Sequence, residues 1–295
     1  MRALVIGGSG FVGSWLMESM KAQKIETIGT YCHHPVKDLI PLDIQDEKAV
    51  EKCLRTFKPD VICLCAAEPN VDYCEEHPEE TKKVNLQGPE FVATMADKIK
   101  AKLVYFSSDY VFDGTEGPYG EEDVPNPLSE YGRQKFQAET FIQKTIKNYL
   151  IVRVTVLYGW EKQGKNFLER LIKTLSKGDS IRVPVDQIGT PTLIRDVAEI
   201  TTTLILQDAR GIYHVAGPDM ISRYDFALQA VKVFNLPASK ISGVTTEELH
   251  QAAKRPLKAG MGSLRLTHVV SIKPKGTLDG LEWLKLNKKI DWIAA

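Results

Sequence analysis

The chain has 295 residues, enough for one large or two modest domains with a sizeable core. Its 38 basic residues balance 38 acidic ones with no basic stripe, which argues against a nucleic-acid face, and no apolar run approaches the roughly 20 residues of a membrane span. Five cysteines without a CxxC pair exclude a disulfide framework and suit a reducing cytoplasm, and the opening "MRALVIGGSG" lacks the longer apolar core and cleavage site of a signal peptide.

In chain order, "RALVIG" (2–7) reads as a strand followed by a helix over 11–22, and "ETIGTY" (26–31) as a strand followed by a helix over 46–57. "VICLCA" (61–66) precedes a helix over 77–100, which opens on "HPEET" with early acids that suit the helix dipole. "KLVYFS" (102–107), "LIVRVTVLY" (150–158) and "GIYHVAG" (211–217) alternate with helices over 130–147, 165–177 and 193–207. Near-continuous apolar strands, each followed by a helix, predict an α/β fold: a Rossmann-type doubly wound parallel sheet covered on both faces. Beyond 217 the pattern thins to helices near 222–235 and 278–286. The expected organisation is a dinucleotide-binding domain over 1–158, with 186–217 returning to it. A smaller α/β substrate-binding cap is expected from 159–185 and 218–295.

"VIGGSGFVGSWL" follows the first strand and opens the first helix. Gly8, Gly10 and Gly13 fit GxGxxG, and Gly7, Gly10 and Gly13 fit GxxGxxG. In this strand–turn–helix context the early glycines let the backbone approach a pyrophosphate, and Gly13 lets the helix pack close. The helix N-terminus then offers N–H groups and a positive dipole to the anion. No acid follows the second strand to accept the adenosine ribose hydroxyls; Cys32, His33 and His34 stand there. Imidazoles tolerate a 2′-phosphate better than a carboxylate does, which favours NADPH and leaves NADH as the alternative. The bland reading is two surface histidines. A metal site at Cys32, His33 and His34 lacks a fourth ligand, so no metal is expected. Asp43 is placed to reach the adenine edge.

"LSEYGRQKF" (128–136) sets Tyr131 and Lys135 one helical turn apart, with Ser129 as the expected N-cap. A nearby ammonium favours phenolate, so Lys135 is expected to lower the Tyr131 pKa from its ordinary value near 10. Gly132 is expected to leave room for the cofactor. Ser108, ending the strand before this helix, adds a hydroxyl that orients a carbonyl beside the phenol. A surface helix pair is the plain alternative.

The combination of "GGSGFVG", "SSDYVFDG" and "YGRQK" resembles the extended short-chain dehydrogenase/reductase superfamily. "SSDYVFDGTEGPYGEED", "DQIGTPTLIRDVAEI" (186–200) and "GIYHVAGPDMISRYDFA" (211–227) narrow the resemblance to the dTDP-4-dehydrorhamnose reductase family. The resemblance implies Ser108, Tyr131 and Lys135 as the catalytic trio and Asp109 beside the substrate. It implies that Gly7, Gly8, Ser9, Gly10, Phe11, Val12 and Gly13 line the cofactor, with Asp43, Ile44, Cys65, Ala66, Ala67 and Asn85. It implies reduction of a 4-keto nucleotide sugar in the cytoplasm, with no nucleic-acid or membrane partner; a homodimer is compatible with it.

"CAAEPNVDYCEEHPEE" and "KRPLKAGMGSLRLTHV" depart from that family's pattern. The first, with the missing acid after the second strand, resembles the regulatory β subunits of methionine adenosyltransferase, which implies an NADP-binding subunit without catalysis as the alternative. Cys63 and Cys65 alternate on an apolar strand, so one or both are expected in the core. Trp160 is expected either in the core or against a sugar or base, and "GEEDVP" (120–125) reads as a solvated turn.

Overall fold

The computed structural model describes residues 1–287. Strand β1 (Arg2–Ile6) feeds helix α1 (Phe11–Ala22), and β2 (Glu26–Tyr31) with the short β3 (Ile40–Pro41) leads to α2 (Glu47–Phe57). After β4 (Val61–Leu64) come α3 (Val71–Glu76), α4 (Pro78–Lys82), α5 (Gly88–Ile99), β5 (Lys102–Ser108), α6 (Glu130–Thr145) and β6 (Tyr149–Val154). The chain continues through β7 (Leu157–Tyr158), α7 (Phe167–Ser176), β8 (Ile181–Pro184), β9 (Ile188–Gly189), β10 (Thr192–Leu193) and α8 (Ile194–Leu206). It ends with β11 (Gly211–Val215), β12 (Ile221–Ser222), α9 (Arg223–Phe234), β13 (Ile241–Val244), α10 (Leu264–Val269) and α11 (Thr277–Leu286).

Seven strands make one parallel sheet in the order β11-β6-β5-β4-β1-β2-β3. From β1 the chain moves outward to β2 and β3, then returns to β4 on the other side of β1, with Ile6 opposite Leu64. That reversal opens a crevice at the carboxyl ends of β1 and β4, where this architecture binds ligands. On one face Leu16 and Met20 of α1 and Val197 and Leu204 of α8 bury against Val5, Cys63 and Val104. On the other, Leu54, Val92, Ala138 and Ile142 cover Leu4, Ile62 and Leu103. Each such side chain contributes roughly 1.5–3 kcal/mol on burial, so strands covered on both faces are apolar almost throughout.

The long strand expected over 150–158 is broken. Thr155 leaves the sheet, Val156 takes φ +38°, and β7 pairs with β10 instead. The helix over 77–100 passes through a π-helical turn at Lys83–Gln87. Helix α3, capped by Asn70 Oδ1 accepting from the Tyr73 amide at 3.2 Å, lies between the strand and the helix expected over 61–66 and 77–100. Small pairings join β8 to β13 and β9 to β12 in the second half. Helices α7, α9 and α11 share a second core of Leu168, Leu171, Phe226 and Leu281. Trp160 belongs to it, donating to the Leu284 carbonyl at 3.0 Å and standing edge-on to Phe234, so it is a core residue and not a stacking platform. Residues 288–295 of the expected cap lie outside the described residues. No described helix is long and apolar enough to cross a membrane.

Candidate active site

At the end of β1, Gly7 turns the chain with φ +87°, a left-handed value natural only to glycine. A Cβ there would stand 2.7 Å from the Ala66 amide nitrogen, and one at Gly13 would run into the Gly7 carbonyl. The turn is tied to β2 through Gly7 N–H to Thr30 Oγ1 at 3.2 Å and Ser9 N–H to the Thr30 carbonyl at 3.4 Å. Gly10 then opens α1 with no capping side chain and no acid in the first turn. The first amides of α1, those of Phe11 and Val12, therefore have no side-chain acceptor, and their dipole favours an anion.

Cys32, His33 and His34 lie just beyond β2 and are exposed, with the Cys32 sulfur 3.6 Å from His33 Nε2. Asp43 is half-buried, its Oδ1 accepting from the Gln45 amide at 2.9 Å. Ile44 packs into the core against Gly88, which leaves only its backbone for a ligand. Cys65 and Ala66 hang their amides on the Ile6 carbonyl at 2.9 and 3.1 Å, holding the end of β4, with Ala67 following, beside the glycine turn. Asn85 lies further along, after α4. It is 1% exposed, with Oδ1 accepting from the Glu68 amide at 2.9 Å and Nδ2 donating to the Glu68 carbonyl and to Gln134 Oε1. With both ends of its amide engaged, Asn85 orders the loop after β4 against α6.

The chemistry-bearing residues gather where β5 ends and α6 begins. Ser108 Oγ donates to Asp109 Oδ1 at 2.8 Å and accepts from the Tyr110 amide at 3.2 Å. Asp109 Oδ2 accepts from Thr155 Oγ1 at 2.6 Å, so the break in β6 is what anchors this carboxylate. Ser129 caps α6 by accepting from the Gly132 amide at 3.3 Å. Tyr131 stands edge-on to Tyr110, ring centroids 5.7 Å apart. Lys135 is buried, its ammonium 4.2 Å from the centroid of the Tyr105 ring.

Two expectations are corrected here. Burial, with the Asp109 carboxylate next, pushes the Tyr131 phenol up; hydrogen bonding to Ser108 opposes this, and Lys135 does not govern it. Burial also pushes Lys135 down to about 7, against the pull of Glu139 one turn further on. Gly132, in turn, makes room for protein and not for cofactor: a Cβ there would run into the Tyr110 carbonyl.

Beyond Asp109 and Tyr110 a narrow cleft continues between Gln187, Ile188, Arg223 and Pro256. Thr155, Arg223 and Gln187 were not singled out from sequence, although the last two lie within the motifs over 211–227 and 186–200; each reaches the site through tertiary contact. The segment 253–263 straps the cleft: Lys258 N–H donates to the Gly114 carbonyl at 2.9 Å, Tyr119 N–H to Gly260 at 2.8 Å, and Arg255 pairs with Asp72 at 2.7 Å. The "GEEDVP" turn exposes Glu122, Asp123 and Val124 to solvent, while its Glu121 is buried and accepts from the His214 amide at 3.2 Å. Among the described residues no group of three or more His, Cys, Asp or Glu is placed to hold a metal ion.

A doubly wound parallel sheet, a glycine turn at its point of reversal and a Tyr–Lys pair beside it define a Rossmann-type α/β protein with the layout of the extended short-chain dehydrogenase/reductases. More narrowly, the chain belongs to the RmlD substrate binding domain family, whose model matches residues 1–282. It is 34% identical over 262 residues to methionine adenosyltransferase 2 subunit beta of Xenopus laevis, covering 86% of this chain and 78% of that one. It is 33% identical over 268 residues to the probable low-salt glycan biosynthesis reductase Agl14 of Haloferax volcanii, covering 88% and 89%. The structure of dTDP-4-dehydrorhamnose reductase from Bacillus anthracis in complex with NADP matches with a TM-score of 0.89 at 30% identity, covering 97% of this chain and 99% of that one.

Proposed function

We propose that this protein is an NADPH-dependent reductase of the 4-keto group of a nucleotide-linked 6-deoxy sugar, with dTDP-4-dehydrorhamnose as its substrate. The carrying observation is the gathering of Ser108, Asp109, Tyr131 and Lys135 beside the glycine turn. The residues fit the cofactor: Gly7 has the left-handed turn, α1 opens uncapped, and His33 and His34 are exposed where a 2′-phosphate would sit. NADPH, when bound, supplies hydride for C4 of the sugar. Tyr131 stays a neutral phenol at neutral pH because burial holds its pKa up, so it has a proton to give to the sugar oxygen as that oxygen gains charge. To orient the carbonyl, Ser108 would turn toward the sugar oxygen the one proton it gives Asp109 here. Lys135, brought by burial to about 7, would hold the nicotinamide ribose. Residues 159–185 and 218–295 would cap the sugar nucleotide, and the free thiols suit a reducing cytoplasm.

The test is loss of NADPH absorbance with dTDP-4-dehydrorhamnose, beside Lys135→Met. Turnover that collapses in the variant supports the reading; cofactor binding without turnover on any 4-keto sugar nucleotide defeats it. The 34% identity to a methionine adenosyltransferase β subunit favours a second reading, an NADP-binding regulatory subunit. Under that reading a pull-down returns the adenosyltransferase catalytic subunit, and the Lys135 variant binds it equally well.

A further inference from the structure

Helix α3 lies in the stretch "CAAEPNVDYCEEHPEE", and its acids Asp72 and Glu75 stand three positions apart, on one face. Each holds a different wall of the candidate site. Asp72 takes the strap: its Oδ2 accepts from Arg255 Nη2 at 2.7 Å and its Oδ1 from the Ala253 amide at 3.0 Å. The Arg255 side chain is 7% exposed, and the next residue, Pro256, lines the cleft. Glu75 takes the helix that carries the phenol. Its Oε2 accepts from the Glu130 amide at 2.8 Å, and its Oε1 lies 3.5 Å from Arg133 Nη2. The Glu130 amide opens α6 directly before Tyr131 and has no acceptor within the helix, so a carboxylate there satisfies the donor and suits the dipole. Between the two acids Cys74 is fully buried, its thiol donating to the Glu68 carbonyl at 3.6 Å and its sulfur 3.5 Å from Asn85 Nδ2.

A helix of six residues is too short to be stable alone, so α3 is ordered by what its side chains hold. Releasing either acid loosens the helix, and with it the grip of the other. Resting on the reductase reading, we propose that α3 couples the strap to the first turn of α6, with Asp72 and Glu75 as positioning residues. Closing the strap over a sugar nucleotide and squaring Tyr131 to its carbonyl then become one event. Neither acid touches the reacting atoms; Asp72 acts through Arg255 and Pro256, and Glu75 through the turn that carries Tyr131.

Hydrogen exchange and steady-state kinetics on the whole, NADP⁺-binding chain test this. Peptides over 128–136 and 253–263 report the α6 turn and the strap. Asp72→Ala should speed exchange in both, and so should Glu75→Ala, because coupling is reciprocal. Glu75→Gln, which keeps an oxygen for the Glu130 amide, should restore most of the protection. If Asp72→Ala does not fold, Asp72→Asn, which loses only the charge, gives the same reading over 128–136 at smaller amplitude. In turnover Glu75→Ala should lower kcat by about tenfold and move KM less, whereas Asp72→Ala should raise KM by about tenfold and lower kcat less. The double variant should lose less in kcat than the product of the single losses. Exchange that rises only beside the substituted acid, or kcat losses that multiply, overturns the coupling. Melting temperatures that fall while kcat and KM change alike in both variants mark a merely structural role and also overturn it. The exchange arm needs no turnover, which separates the two claims. Reciprocal exchange without reduction of any 4-keto sugar nucleotide keeps the coupling and rejects the reductase. Turnover with exchange confined to each acid's own contact keeps the reductase and rejects the coupling.

Discussion

Tyr131 and Lys135 sit one turn apart, and burial acts on each against its charged form: the phenol is held protonated and the ammonium is brought to about 7. A reductase uses the phenol as a proton donor, so Tyr131→Phe should lower kcat by about 10²–10⁴-fold while NADPH affinity measured by fluorescence stays within a few-fold. His214 shows the same physics away from the reaction. Arg153 can only donate, so His214 Nε2, 3.3 Å from Arg153 Nη1, accepts, and the ring proton on Nδ1 goes to the Gly262 carbonyl at 3.1 Å. Burial, then Arg153, pushes this imidazole down to about 3. Between its unfolded value near 6.5 and about 3 the unfolded chain binds the extra proton, so the stability His214 contributes is complete above that upper limit and drains away on acidification. Glu169, raised by burial to about 7 from 4.5, works the other way: its native state holds the extra proton, and its contribution fades as pH rises through that interval. Relative to wild type, the urea midpoint at pH 7 should fall against that at pH 5 in His214→Gln, which keeps one donor and one acceptor, and rise against it in Glu169→Gln.

Helix α6 and the strap over 253–263 set the site as units. The first turn of α6 rests on the Tyr110 carbonyl through Gly132, so Gly132→Ala should cost about 1–3 kcal/mol by forcing helix and loop apart. It should also lower kcat, because Tyr131 moves with the turn; thermal melting and kinetics together read both effects. Arg255 ties the strap to α3 through Asp72, and Asp72 also accepts from the Ala253 amide at 3.0 Å. Arg255→Ala should therefore speed amide exchange over the strap and raise the sugar-nucleotide KM more than it lowers kcat. The main sheet and its helices were legible from sequence because strands covered on both faces are apolar throughout, and the Gly7 turn because a left-handed backbone demands its residue. Two-residue strands such as β9 and β12 were not, since their pairing is decided by tertiary contact and not by a pattern of their own. Thr155 anchoring Asp109 from 46 positions away, and Arg223 entering the cleft, belong to the same class. Gly132 was read correctly as a place needing no side chain, but sequence alone does not say which neighbour takes the space.

Across the whole molecule a buried charge network joins the candidate site to the strap. Glu139, one turn past Lys135, receives Arg153 at 2.9 and 2.7 Å, and Arg153 leads through His214 to Gly262. Both members of the ion pair are almost fully buried, so Arg153→Met should cost about 3–5 kcal/mol by stranding Glu139, while the double variant Arg153→Met with Glu139→Gln should cost less than Arg153→Met alone in chemical denaturation. The reductase reading requires that the crevice at β1 and β4 and the Tyr131 site serve one hydride transfer, cofactor in the first and sugar at the second. Incubating the protein with dTDP-4-dehydrorhamnose and NADPH carrying deuterium at the nicotinamide C4, with each face labelled in turn, tests that requirement. One deuterium on C4 of the sugar, from one face only, is the predicted result; unlabelled sugar and intact cofactor, with NADPH demonstrably bound, would contradict it.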